Sequence, residues 1–152
     1  MEVITILREL TNEQFESLLS ICIKEEFPPY TVIIEEGTQS RHMYILTEGS
    51  LKVIFKGANV GLIVPVSTVG EIGVFTGDTR TAKIVSITNC TLLKIRKNEL
   101  FDLFEKDKDF HIKFQKAMFL DVVHKLSMTN ETIGKQSRYI SKLEKGFDYH
   151  KE

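Results

Sequence analysis

The spacing of apolar residues changes twice along this chain, and each change marks a change of element. Near the start, Thr11-Asn12-Glu13-Gln14 has the form of a capping box, with Thr11 as N-cap and Gln14 three residues on. Phe15, Leu18, Leu19, Cys22 and Ile23 follow at helical spacing, which predicts one amphipathic helix over residues 12–24. Phe27-Pro28-Pro29 ends it, because proline biases the preceding residue out of the helical region. Cys22 falls on the apolar stripe, where it reads as a small buried hydrophobe rather than a reactive thiol. From Tyr30 to Ile95 the pattern becomes one of short runs rich in Val, Ile, Thr and aromatics, punctuated by glycine. The predicted strands are Tyr30–Glu35, His42–Thr47, Leu51–Phe55, Val60–Val64, Ala82–Ile87 and Thr91–Ile95, with an irregular glycine-rich stretch before residue 82. Strands at this spacing imply an antiparallel sandwich or barrel rather than a parallel sheet with crossover helices.

The last third returns to helical spacing. Asn98 is placed to cap a short helix through Phe104, and the Asp107–Asp109 region to start a longer one. Two stripes share that long helix. Phe110, Phe114, Ala117 and Met118 offer a face for packing back onto the strands. Phe119, Val122, Leu126, Thr129, Ile133, Gln136, Ile140, Leu143 and Phe147 step by three and four residues, a heptad seam of about four repeats with Thr129 and Gln136 as its polar members. Such a seam is buried either inside a monomer or against a second copy. Little chain remains to cover it, so the expectation is a homodimer through Phe119, Val122, Leu126, Thr129 and Ile133. Gly134 marks a point where the helix can kink or fray.

Composition adds mainly exclusions. The formal net charge of −1 gives no global attraction to nucleic acid or anionic membrane. No apolar run approaches the length of a membrane span, and the first residues lack the layout of a secretory signal. Two cysteines, Cys22 and Cys90, make no disulfide framework. His42, His111, His124 and His150 have no metal-ligand spacing, and no serine or cysteine sits in a nucleophile motif. A cytoplasmic protein without a catalytic or metal site is the expectation.

One segment carries chemistry: Gly70-Glu71-Ile72-Gly73-Val74-Phe75-Thr76-Gly77-Asp78-Thr79-Arg80-Thr81-Ala82. Its glycines permit tight turns and close approach to a ligand. If residues 71–75 form one helical turn, their N–H groups converge as an anion site. Arg80 brings a planar fork suited to two phosphate oxygens. Glu71, acceptor-only when ionised, suits a ribose hydroxyl and would repel a second phosphate. Together they describe a sugar bearing a single negative charge. No Lys-Ser/Thr pair follows the glycines, so the segment is not a P-loop.

This run resembles the phosphate-binding cassette of cyclic-nucleotide-binding domains, and the element order from about Thr11 to Tyr139 is similar to that family's. The ten-residue step from Gly70 to Arg80 resembles the version in kinase regulatory subunits. The resemblance implies an α+β fold, a jelly-roll-like antiparallel β-barrel flanked by an N-terminal helix and a long C-terminal helix. It implies that Gly70, Ile72, Gly73 and Val74 line the ribose-phosphate, that Glu71 takes the 2′-hydroxyl, and that Arg80 takes the cyclic phosphate. Thr81 stands where a hydroxyl contacts the purine, a feature associated with cGMP. Met128-Thr129-Asn130-Glu131 resembles the stretch by which bacterial activators meet adenine, through Thr129 in the same subunit and Asn130 in the partner. Thr129 thus has two readings, a ligand contact and a register-setting residue.

Two features depart from the family pattern. Val64-Pro65-Val66-Ser67-Thr68-Val69 stands where the family has a glycine and an acidic residue, so that strand end should differ in shape. After Tyr139 too few residues remain for a helix-turn-helix, and direct DNA binding is not expected. The expected organisation is one structural domain, with residues 1–106 as helix plus barrel around the cassette (70–82), residues 107–147 as dimerisation helix and 148–152 as tail. The expected function is that of a cAMP- or cGMP-binding regulatory protein acting through a homodimer on an unknown protein effector. The alternatives are a barrel scaffold that has lost its ligand and the sensory half of a Crp/Fnr-type transcription regulator.

Overall fold

In the computed structural model residues 7–148 are described, apart from the side chains of Met128, Thr129, Thr132, Tyr139 and residues 144–148. The elements run α1 (Asn12–Ile21), β1 (Cys22–Phe27), β2 (Val32–Ile34), β3 (His42–Glu48), β4 (Leu51–Phe55), β5 (Ala58–Ile63), β6 (Ser67–Val69), α2 (Glu71–Thr76), β7 (Lys83–Ser86), β8 (Cys90–Arg96), α3 (Lys97–Lys106) and α4 (Lys108–Asp148). Two four-stranded antiparallel sheets result, ordered β1-β8-β3-β6 and β2-β7-β4-β5. The fold is jelly-roll-like, two facing sheets rather than a closed barrel.

Alternation along β3 explains how the layers stack. Tyr44 and Leu46 join Ile34, Leu51, Val69, Ile84 and Leu92 in one core cluster. Met43 and Ile45, on the opposite face, join Leu18, Ile95, Leu100, Phe104, Phe110, Phe114, Ala117 and Met118 in the other. The central strand is therefore buried on both sides, which is why its sequence is almost continuously apolar. The stripe Phe110, Phe114, Ala117, Met118 is buried as its spacing implied.

Several boundaries differ from expectation, each for a physical reason. The Thr11/Gln14 capping box is present, with reciprocal bonds of 3.1 Å. The helix it starts ends at Ile21, not at residue 24, and Cys22–Phe27 pairs with β8 from Cys22↔Ile95 to Phe27↔Cys90. Helical spacing of Cys22 and Ile23 was locally permissible, but the edge of β8 offered a full ladder, and tertiary pairing won. The proline pair thus ends a strand. Ser67–Val69, inside the stretch expected to be irregular, forms β6 on β3. Asn98 does not cap: α3 begins at Lys97, with Arg96 as an N-cap lacking a side-chain bond. Asp107 does cap α4, its Oδ1 accepting from Phe110 N at 3.0 Å, and that bond with one from Gln14 holds its carboxyl below the usual range.

The chain divides into two compact units, Met1–Asp121 and Val122–Glu152. Helix α4 runs through the boundary. In the second unit Leu126, Ile133, Ile140 and Leu143 are exposed, as is Phe119 just before it. The side chains of Thr129 and Phe147, the remaining test of the seam, lie outside the described residues. No helix of the described residues is long and apolar enough to cross a membrane.

Candidate functional site

The cassette is a strand, a left-handed glycine and one and a half turns of helix. Val69 ends β6 and Gly70 follows at φ +77, a conformation that favours glycine. The six residues of α2 then close on Gly77, also left-handed, whose N–H donates to Gly73 O at 2.9 Å. The expected helical turn over 71–75 is therefore present. Both key glycines are also spatially required. A Cβ at Gly70 would lie 2.6 Å from Arg80 Nη1 and 3.0 Å from Ile34 Cδ1. One at Gly73 would lie 2.6 Å from Ser40 Cβ and collide with Ser40 Oγ.

Arg80 is held from both ends. Its main chain bridges to the loop before β3, with Arg80 N donating to Thr38 O and Gly37 N donating to Arg80 O, each at 2.8 Å. Its side chain is buried, only 7% exposed; Nη1 donates to Gly70 O at 2.5 Å and Nη2 donates to His42 O. Burial lowers the guanidinium's pKa from its usual value, and the charges of Tyr44 and Glu71 act the other way. Arginine stays charged regardless. Two carbonyls thus fix the orientation of the fork. Glu71 is buried at 4% exposure beside this cation.

The environment is tuned against a second positive charge. His42, at the start of β3, is pushed down to about 4 by burial and then by Lys94 and Arg80, so it is neutral at physiological pH. Its ring meets Tyr44 edge-on at 5.1 Å, and burial with Glu25 pushes the Tyr44 phenol up to about 12. Among the described residues no cluster of three His, Cys, Asp or Glu side chains has metal-binding geometry. Cys22 is half-buried, and burial pushes its thiol up to about 11, against forming the thiolate at neutral pH.

The structure brings Gly70, Glu71, Gly73, Val74 and Arg80 together, all buried or nearly so. Ile72 points outward at 58% exposure and Thr81 is exposed next to Arg80. Asn130 is exposed on α4, in the second unit; the Thr129 side chain is outside the described residues. Sequence reasoning missed Ser40, whose Oγ donates to Asp78 O at 2.7 Å and so fixes the Gly77–Thr79 loop. It also missed His42, whose contribution is a carbonyl and leaves no side-chain signature. A cleft of about 910 Å³ opens beside the cassette between that loop, Arg41, Lys94 and the start of α3, with neither Glu71 nor Arg80 in its wall.

Past the cassette, Phe75 lies against α3. Its ring is 6.3 Å from Phe101 and 6.4 Å from Phe104, and Phe104 continues to Phe110 at 5.9 Å and Phe114 at 5.5 Å on α4. An aromatic path therefore leaves the turn that carries the candidate site.

A jelly roll with a buried Gly-Glu…Arg cassette defines a class of small-ligand receptor modules. Residues 24–107 match the cyclic nucleotide-binding domain family, and the chain belongs to that family. It is 30% identical over 84 residues to mouse (Mus musculus) cGMP-dependent protein kinase 2, a stretch that is 55% of this chain and 11% of the kinase. It is 34% identical over 71 residues to the human (Homo sapiens) potassium/sodium hyperpolarization-activated cyclic nucleotide-gated channel 3, covering 47% of this chain and 9% of the channel. The chain thus matches only about a tenth of those relatives' lengths, the binding domain and not the kinase or pore. A solved cyclic nucleotide-binding domain from Methylobacillus flagellatus superposes with a TM-score of 0.81 at 16% identity, over 89% of this chain and 82% of that one.

Proposed function

We propose that this chain is a non-enzymatic receptor for a 3′,5′-cyclic nucleotide, cAMP or cGMP, and that it regulates an effector through the packing of α4. One observation carries the reading: Arg80, a buried cation, is aimed by two backbone carbonyls at a glycine-lined turn with Glu71 alongside. Burying a charged guanidinium in this way is costly unless an interaction compensates. Two carbonyls and the charge of Glu71 supply part of that compensation, and a cyclic phosphate against the guanidinium, with a ribose hydroxyl on Glu71, adds to it. Gly70, Gly73 and Val74, with Ile72 through its backbone, line the ribose-phosphate, and Thr81 is the base-contacting residue of the cassette.

The output runs along Phe75. Ligand drawn onto the cassette shifts α2, and the Phe75–Phe101–Phe104 contacts pass the shift to α3 and on to the start of α4. The mechanism is a population shift between two packings, biased by the ligand's differential affinity for them. The exposed row Phe119, Leu126 and Ile133, with half-buried Val122, supports a homodimer through α4.

Isothermal titration with cAMP, cGMP and 5′-AMP tests this. One or both cyclic nucleotides should bind with unit stoichiometry per chain. The open 5′-monophosphate, carrying a second negative charge next to Glu71, should bind at least tenfold more weakly. Equal affinity for all three, or no heat from any, contradicts the proposal.

A further inference from the structure

The site described so far leaves one buried charge unused. Asp121 is 5% exposed and is the last residue of the first compact unit. Its Oδ2 accepts from Thr68 Oγ1, and its Oδ1 from Ser67 Oγ at a longer 3.4 Å. Thr68 is itself completely buried. A carboxylate at such a position costs several kcal/mol unless hydrogen bonds compensate, so these hydroxyls are matched to it.

The partners lie on the weakest part of the sheet. Strand β6 is three residues long and sits at the edge of its sheet, paired only with β3. So short an edge strand is poorly fixed by its ladder alone. Yet the residue after it is Gly70, whose left-handed backbone presents the carbonyl that aims Arg80 Nη1. The route from α4 to the candidate phosphate-binding fork is therefore Asp121, Thr68, Val69, Gly70, Arg80. It is also where the sequence departs from its family's pattern, with Ser67-Thr68 ahead of the cassette.

We infer that Asp121 is a positioning residue for the nucleotide site: it anchors β6 to α4, sets Gly70 and thereby Arg80, and makes ligand affinity depend on where α4 is held. The inference rests on the nucleotide reading of the cassette, but its geometry can be tested with or without ligand. In the full chain, Asp121→Asn and Thr68→Val should each weaken cAMP or cGMP binding about tenfold. The double variant should lose less than the sum of the two single losses, because both disturb the same anchor. Thr68→Ser, which keeps the hydroxyl, should bind like wild type. In nucleotide-free protein, amide hydrogen exchange at Gly70–Val74 should rise in Asp121→Asn and Thr68→Val, while β4 and β7 in the other sheet stay protected.

Affinity within twofold of wild type in Thr68→Val overturns the inference, and so does strict additivity in the double variant. A fall in melting temperature with unchanged exchange at Gly70–Val74 overturns it too, since that is what a merely structural bond does. If Asp121→Asn fails to fold, the Thr68→Val and Thr68→Ser pair decides alone. If the wild type binds neither nucleotide, the cassette reading fails, and the exchange measurement still decides the anchor.

Discussion

The cassette and the second half of α4 present opposite faces of one problem. In the cassette the charged groups, Glu71 and Arg80, are buried, and the arginine is already bonded to the protein's own carbonyls. Along Leu126, Ile133, Ile140 and Leu143 it is the apolar groups that are exposed. The first region holds its buried charges beside one another within one chain. The second leaves a regular apolar row open to water, and apolar side chains in such a row gain by leaving it. A substitution of the same severity should therefore be felt in different places: in ligand affinity at the cassette, and in association on the helix.

Leu126→Asp breaks the comparison most strongly. In a seam between two copies it buries an unpaired carboxylate, at about 3–5 kcal/mol, and sedimentation should show dimers becoming monomers. Leu126 is 58% exposed within one chain, so the monomer's own stability should change by no more than about 0.5 kcal/mol. A wild type that is monomeric at every concentration removes the seam from the account. Next comes Arg80→Ala, expected to cost about 2–5 kcal/mol in nucleotide affinity, or roughly 30-fold or more. Arg80→Lys should recover part of this, since an ammonium replaces the charge but not the fork. Full affinity in Arg80→Ala moves the phosphate elsewhere.

Gly73→Ala sharpens the contrast from the backbone side. The new Cβ meets Ser40 Cβ at 2.6 Å, and overpacking of this kind costs about 2–3 kcal/mol. Both melting temperature and nucleotide affinity should fall, because Ser40 also holds the loop leading to Arg80. By contrast, alanine at Gly134, with its nearest neighbour the mobile end of Arg138 at 3.9 Å, should be neutral or stabilising by up to about 1 kcal/mol.

A further effect is one of pH. The unfolded chain protonates His42 near its ordinary 6.5, the folded one near 4. Below 6.5 the unfolded state binds the extra proton, so stability is full above that pH and is lost as pH falls toward 4. For a ring that is partly exposed, solvent screening reduces the total to about 1–2 kcal/mol. His42→Gln should flatten chemical-denaturation stability between pH 6.5 and 4; an unchanged slope assigns it to other groups.

The difference between the two regions also governs what the sequence could reveal. The turn at the cassette was legible because it is written in consecutive residue types, Gly70-Glu71 through Arg80, and the stripe Phe110, Phe114, Ala117 and Met118 because periodicity is local. Strand β1 was not, since Cys22 and Ile23 suit a helix as well as an edge and only the ladder to β8 decides. Ser40, His42 and Asp121 escaped for the same reason. Their roles depend on partners 38 or 53 residues away, and His42 acts through a carbonyl that every residue type carries. The Ser67-Thr68 departure was visible, but its meaning required Asp121.

The central claim is that Arg80 and Glu71 receive a cyclic nucleotide, and thermal unfolding of wild type beside Arg80→Ala tests it most directly. With ligand at about a hundred times its dissociation constant, cAMP or cGMP should stabilise the wild type by roughly 2.7 kcal/mol. The same concentration should stabilise Arg80→Ala by no more than about 0.9 kcal/mol, the value for a roughly 30-fold loss of affinity. A wild type whose melting curve is unchanged by either nucleotide at millimolar concentration, or a variant stabilised as much as wild type, would contradict the account.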